Sequence, residues 1–265
     1  MISYRELVTS LRSLEVESGR PVIAHASLSA FGEVSGGAET LLGALLTVFP
    51  QLIMPTFTYK TMVIPEVGPP NNGLPYGKGT VRNRQAEFFH INMPADPSMG
   101  VLAESLRRLP QSHRSMHPIL SFSGIDAKPV LNSQTIEEPL APVRYLMEAG
   151  GWMLLLGVHH STNTSIHYAE KLAGRNGFIR WALTPNGILE CPEYPGCSNG
   201  FVAILPHLTE FTRQVLAGKA AIQAVPLTSL IHTALSLIRI DPLALLCGLP
   251  DCERCQAVKA EVVKA

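Results

Sequence analysis

The 265-residue chain has no excess of either charge: 21 Lys and Arg stand against 21 Asp and Glu. It lacks the basic stripe that nucleic-acid binding needs, and it lacks the blocks of like charge that mark a solvated tail. No apolar run comes near the roughly 18 residues that suggest a membrane span. The opening Met1-Ile2-Ser3-Tyr4-Arg5-Glu6-Leu7 carries charges in an amphipathic pattern where a signal peptide would have an apolar core. Five cysteines, an odd number, do not make the paired framework of a secreted domain. Internal repeats and low-complexity linkers are also missing. These absences exclude nucleic acid and membranes as partners and lead us to expect a cytoplasmic protein.

What is present is a large core. Apolar residues make up 46% of the chain and charged residues 16%, enough to fill one domain of this length or two coupled ones. We expect a single domain over 1–265, with its core in about 1–175 and a cysteine-bearing part, about 176–265, packed on it. Leu7, Leu11 and Leu14 form the stripe of an opening helix. Strands are expected over 21–25, 52–57, 119–123, 152–158 and 220–225. Helices are expected over 38–49, 96–109, 141–149, 165–173, 202–216 and 228–238, with β-rich or irregular chain over 179–195. The alternation argues a layered α/β architecture. Residues 58–95 show no sustained period and carry many Pro, Gly and Asn. A loop of that length is more often a binding segment or lid than slack.

The segment Asn163-Thr164-Ser165-Ile166-His167-Tyr168-Ala169-Glu170 carries the sharpest signal. It follows the apolar run Trp152–Val158, begins with good N-cap residues, and reaches a helix stop at Gly174. His167 and Glu170, three apart, share one face of the first turns of a helix. That helix begins where a strand ends, the place where open α/β sheets bind ligands. The bland alternative is a surface pair or a satisfied structural histidine. His159 and His160 lie close by, but no carboxylate spacing there suits a metal, and none is expected.

Three further clusters allow two readings each. Gly36-Gly37 before a helix suits phosphate binding at exposed backbone N–H groups, or simply a tight turn. Arg114, Ser115 and His117, with Pro118 extending the chain, suit an anion or polar substrate, or a solvated loop. Cys252-x-x-Cys255 is half of a zinc site, which Cys191 and Cys197 complete; ordinary reduced thiols are the other reading.

In order along the chain stand His25-Ala26-Ser27-Leu28, Gly32, Gly36-Gly37, Pro55-Thr56-Phe57, Met99-Gly100, Arg114-Ser115-Met116-His117-Pro118, Gly151-Trp152-Met153-Leu154-Leu155-Leu156-Gly157 and the Asn163–Glu170 segment. Over about residues 22–174 this pattern resembles the aminoglycoside 3-N-acetyltransferase, or antibiotic N-acetyltransferase, family. The resemblance implies an α/β/α fold with a central mixed sheet, distinct from the common acetyltransferase fold with its pyrophosphate-binding loop. It also implies acetyl transfer from acetyl-CoA to an amine of an aminosugar antibiotic. His167 then acts as general base, with Glu170 as its partner. Ser27, Gly36, Gly37, Met99, Gly100, Arg114, Ser115 and His117 become candidates for cofactor or substrate contacts. The chain departs from the family pattern at Ala26, where a second serine is usual, and at Ala141-Pro142, where Ser-Pro is usual. Asp96-Pro97-Ser98 replaces a Thr-Pro. These positions belong to the expected CoA or acceptor groove.

The implied chemistry suits the residues. An ammonium ion cannot attack a thioester until it loses a proton, and imidazole, with an ordinary pKa of about 6.5, is suited to take it. The oxyanion needs backbone N–H donors, expected in the turn before the Asp96 helix or just after His25. Direct attack needs no covalent enzyme intermediate, so Ser27 is a hydrogen-bonding residue rather than a nucleophile. The rival readings are an acyltransferase of this fold acting on another amine, a protein that binds antibiotic or CoA without turnover, and a thioesterase. A homodimer is the assembly to test.

Overall fold

Strand alternation and helix stripes sort the apolar residues into two cores on opposite faces of one sheet. The structure, a computed structural model, describes residues 1–263. In chain order its elements are α1 (Tyr4–Arg12), β1 (Val22–Ala26), α2 (Gly37–Val48), β2 (Leu52–Pro55), β3 (Met62–Val63) and α3 (Thr80–Arg84). Next come α4 (Gly100–Arg108), β4 (His113–Arg114), β5 (Phe122–Ile125), α5 (Lys128–Asn132), α6 (Ala141–Glu148), β6 (Trp152–Leu156) and α7 (Ile166–Leu172). The chain continues through β7 (Phe178–Thr184), β8 (Gly187–Tyr194), β9 (Arg213–Ala217), β10 (Ala220–Pro226), α8 (Leu227–Ile240) and α9 (Glu253–Val262). The main sheet has seven strands in the order β4-β5-β2-β1-β6-β10-β9. β1 runs parallel to both β2 and β6, and the outer pairings are antiparallel, so the sheet is mixed.

Successive side chains of a strand point to opposite faces. On β1 and β6, Val22, Ala24, Trp152, Leu154 and Leu156 join Leu7, Leu11, Leu41, Leu45, Leu102 and Leu106 of α1, α2 and α4. Ile23, Met153 and Leu155 face the other way, onto Val143, Leu146, Ile166, Ala169, Leu230 and Ile231 of α6, α7 and α8. The architecture is therefore the layered α/β/α one. β6, and β1 apart from its buried His25, read as apolar runs covered on both faces, as central strands of such a sheet do. No helix among the described residues is long and apolar enough to cross a membrane.

Two expectations are corrected, and a third gains detail. The segment 58–95, read as a binding segment or lid, is anchored to the fold. Its β3 forms the edge of a three-stranded sheet with β7 and β8, and the buried Asn72 brackets the Ile179 backbone by accepting its N–H at 2.7 Å and donating to its carbonyl at 3.0 Å. The helix expected over 202–216 is a 3₁₀ segment, Phe201–His207, followed by β9. Pro206 lies inside that segment, and Arg213 to Ala217 alternates between inward and exposed positions as a strand does. The helix begun by Asp96 is interrupted. Asp96 caps the 3₁₀ turn Pro97–Met99 through the Ser98 N–H, and Gly100, at φ 84°, restarts the chain as α4.

Candidate active site

The site is assembled by the ends of α7. Gly157 closes β6 at φ 66°, where an added Cβ would lie 2.4 Å from that of Ala30. The turn that follows is fixed by Asn163, whose Oδ1 accepts the Ser165 N–H at 3.1 Å and whose Nδ2 donates to His160 Nδ1 at 3.2 Å. α7 then starts, with His167 in its first turn and Glu170 three residues on, so their side chains meet. His167 Nδ1 lies 2.6 Å from Glu170 Oε2.

The far end of α7 supplies a third member. Gly174, at φ 84°, lets its own N–H reach Lys171 O while the Arg175 N–H reaches Glu170 O, both at 3.0 Å. This is the double backbone cap that a left-handed glycine after a helix permits. It folds Arg175 back along the helix, where Nη1 donates to Glu170 Oε1 at 2.6 Å. Nη2 donates to the carbonyls of Pro242 and Ala244 at 2.8 and 2.5 Å. His167, Glu170 and Arg175 thus form one buried chain of hydrogen bonds. Burial works to raise the Glu170 carboxyl, but hydrogen bonding and charge from His167 and Arg175 outweigh it and hold it below the ordinary carboxylate range. An ionised Glu170 only accepts hydrogen bonds, which places a proton on Nδ1 of His167, so that in the neutral tautomer Nε2 is the lone-pair nitrogen. Phe201 packs against the imidazole, with centroids 4.8 Å apart, and restrains the ring.

His167 lines a cavity of about 800 Å³ at the carboxyl ends of β1 and β6. That volume is within the range for small-molecule sites. Ser27, Met99 and Gly100 line it as well, together with Tyr59, Tyr194 and Arg254. A Cβ at Gly100 would come within 3.0 Å of Ala26 O, so only glycine seats the start of α4 this closely on the end of β1. The donors first expected for an oxyanion are engaged elsewhere. The Ser27 N–H bonds Leu156 O at 3.0 Å and the Ser98 N–H bonds Asp96 Oδ1 at 3.0 Å. The amides that open α4 have no acceptor within their helix, and Val101, one of them, lines the cavity.

The remaining candidates lie outside the cavity. Gly36 and Gly37, at φ 77° and 60°, make the left-handed turn into α2. Arg114 uses its donors on the protein: Nε on Ser121 Oγ at 3.0 Å, Nη2 on Thr56 O at 2.6 Å, and Nη1 on the carbonyls of Ile91 and Met93. Ser115 Oγ accepts the Phe122 N–H at 2.8 Å. His117 Nδ1 accepts the N–H groups of Ile119 and Leu120 at 3.1 and 3.0 Å. These three residues hold the chain around β4 and β5 and do not line this cavity. Cys191 points into the core from β8, so it cannot join Cys197, Cys252 and Cys255. Their fourth neighbour is Cys247. Arg175, Tyr59, Tyr194 and Arg254 were not anticipated. Only Arg175 had a signal, since Gly174 as helix stop puts the next residue back over the last turn.

Three buried histidines predict how acid acts on the fold. Burial depresses His25 to about 3, helped by the charge of His160, and depresses His117 and His160 to about 4. Each is neutral in the folded chain and takes a proton in the unfolded chain below about pH 6.5. Unfolding is therefore favoured as pH falls from about 6.5 toward 4, by up to ~1.4 kcal/mol per histidine per pH unit. Urea denaturation at pH 7 and pH 5 checks this: the midpoint should drop sharply, and an unchanged midpoint would show that these rings are not buried uncharged.

A family model described as aminoglycoside 3-N-acetyltransferase matches residues 23–238. Aminoglycoside N(3)-acetyltransferase III from Salmonella is 29% identical over 221 residues, covering 72% of this chain and 74% of the relative. Aminoglycoside N(3)-acetyltransferase VII from Streptomyces paromomycinus is 31% identical over 188 residues, covering 66% and 62%. Among solved structures, the apoenzyme of aminoglycoside acetyltransferase AAC(3)-IVa superposes with a TM-score of 0.79 at 25% identity, covering 98% of this chain and 97% of that one. The AAC-IIIb complex with CoASH shares the fold, with a TM-score of 0.72 at 23% identity and coverage of 90% and 96%.

Proposed function

This chain belongs to the aminoglycoside 3-N-acetyltransferase family, and from that premise we propose that it transfers the acetyl group of acetyl-CoA to an amine of an aminoglycoside-type aminosugar. The observation that carries the reading is the 2.6 Å contact between His167 Nδ1 and Glu170 Oε2, beside a cavity large enough for a thioester arm and a sugar amine. His167 Nε2 takes the proton from the acceptor amine. The freed nitrogen lone pair attacks the thioester carbonyl, forming the C–N bond and placing charge on the carbonyl oxygen. The first-turn amide of α4 at Val101 is the backbone donor suited to that oxygen. Collapse breaks the C–S bond, the leaving thiolate takes the proton held on His167, and the second proton on the former amine nitrogen passes to solvent as the amide forms. Glu170 stabilises the imidazolium in between, and Arg175 keeps Glu170 ionised.

One feature favours a second reading, in which the acceptor is a less cationic amine. No Asp or Glu is among the residues lining the cavity, and Arg254 is. Aminoglycosides are polycations, and a groove without carboxylates gives them no counter-charge. An assay of free thiol released from acetyl-CoA, run with aminoglycosides, neutral-bodied amines and no acceptor, separates the readings. Release only with aminoglycosides supports the main reading, and release only with other amines supports the second. Release without any acceptor would point to hydrolysis and contradict both.

A further inference from the structure

The four cysteines that the acetyl-transfer chemistry does not use converge on one point. Cys197 lies in the turn after β8 and Cys247 in the loop after α8, while Cys252 precedes α9 and Cys255 sits in its first turn. Their sulfur atoms all lie within 4.8 Å of one another, and Cys247 and Cys255 Sγ are 3.4 Å apart. Four thiolates at zinc–sulfur distances of about 2.3 Å in a tetrahedron stand about 3.8 Å from each other. The cluster therefore needs shifts of only a few tenths of an ångström to about one ångström to close around an ion. None of the four forms a disulfide, and three are buried. The Cys247 N–H points at Cys255 Sγ at 3.4 Å, the kind of outer hydrogen bond that steadies a metal thiolate.

The backbone is shaped for this convergence. A Cβ on Gly200 would lie 2.4 Å from Leu246 O and 2.5 Å from Leu245 O, so glycine alone lets the Cys197 turn pack against the Cys247 loop. α9 also needs an anchor. Its ten residues bury only Cys255, Ala257 and Val258, little apolar surface for a helix too short to be stable alone.

We propose that Cys197, Cys247, Cys252 and Cys255 bind one zinc ion as a closed tetrathiolate that clamps α9 against the body of the protein. Thiolate sulfur selects zinc among abundant divalent ions, and four protein ligands leave no open position for catalysis. Binding releases the thiol protons to solvent. The clamp bears on the cavity, because Arg254, between the last two ligands, lines it and donates to Gly196 O at 2.8 Å. The metal therefore supports one wall of the cavity, and its role is independent of which acceptor is used.

The test is metal analysis of the full chain purified after growth with zinc, followed by replacement with cobalt(II) under reducing conditions. We expect about one zinc per chain and, with cobalt, the intense sulfur-to-metal charge-transfer absorption of a tetrahedral tetrathiolate. Cys252→Ser should lower the metal content several-fold, while Cys191→Ser, a control outside the cluster, should retain it. Because the cobalt spectrum is taken on the unaltered chain, misfolding of a variant cannot decide the result. Zinc content near zero together with no charge-transfer band, or disulfides among these four cysteines in the freshly purified chain, would overturn the proposal.

Discussion

His167→Ala should lower kcat for acetyl transfer by about 10²–10⁴-fold, the usual contribution of one positioned base. CoA affinity should change little, since the imidazole works on the acceptor proton rather than on the nucleotide. The size of the effect follows from the protonation pattern. Glu170 fixes the proton on Nδ1, so the histidine presents Nε2 to the cavity side, and alanine leaves no group there to accept a proton. Activity within a few-fold of the unaltered chain would remove His167 from the reaction. A parallel loss of CoA binding would show instead that the substitution disturbs the cavity.

The second large effect is expected at Glu170, and it separates chemistry from stability. Glu170 and Arg175 are both buried, with side chains only 8% exposed. Glu170→Ala strips Arg175 of its carboxylate and leaves a buried guanidinium with two backbone carbonyls as its described acceptors. Breaking a buried pair from one side costs about 3–5 kcal/mol, which lowers Tm by roughly 6–20 °C in a chain of this size. Turnover should fall as well, because His167 loses the group that orients it. Replacing both partners, as Glu170→Leu with Arg175→Met, removes the stranded charge and should recover most of the stability but none of the activity. A Glu170→Ala protein that melts at the original temperature would show that the buried pair contributes nothing to the fold.

In the first two thirds α1, β1, α2, β2, α6, β6 and α7 were legible because local signals agreed with tertiary needs, whereas β3, α3, β4 and α5 are too short to show a period. β6, and β1 apart from His25, carry apolar runs because both faces are covered, and α7 has its Asn163 turn and its Gly174 stop. The His167–Glu170 contact could be read from helical spacing alone. Arg114, Ser115 and His117 misled because polar residues near a proline look the same whether they meet ligand or backbone. Burial decides that question, and burial is not written in three residues. Gly36-Gly37 has the same ambiguity, and its left-handed backbone serves the turn into α2. Cys191 was paired with Cys197 by nearness in sequence, but β8 alternation turns it into the core, and Cys247 arrives from fifty residues downstream of Cys197. Tyr194 and Arg254 reach the cavity through long-range packing that leaves no periodic trace, and the missed α9 has too few apolar positions to show a stripe.

The central claim is that this chain moves an acetyl group onto an amine by direct attack, with no acetyl-enzyme on the way. Mass spectrometry of a single incubation with acetyl-CoA and an aminoglycoside tests it directly, with the acceptor and the intact protein analysed together. The expected result is an acceptor heavier by one acetyl group, thiol released in equal amount, and a protein of unchanged mass. Thiol release with an unmodified acceptor, or an acetylated protein that builds up and then passes its acetyl group to the acceptor, would contradict it.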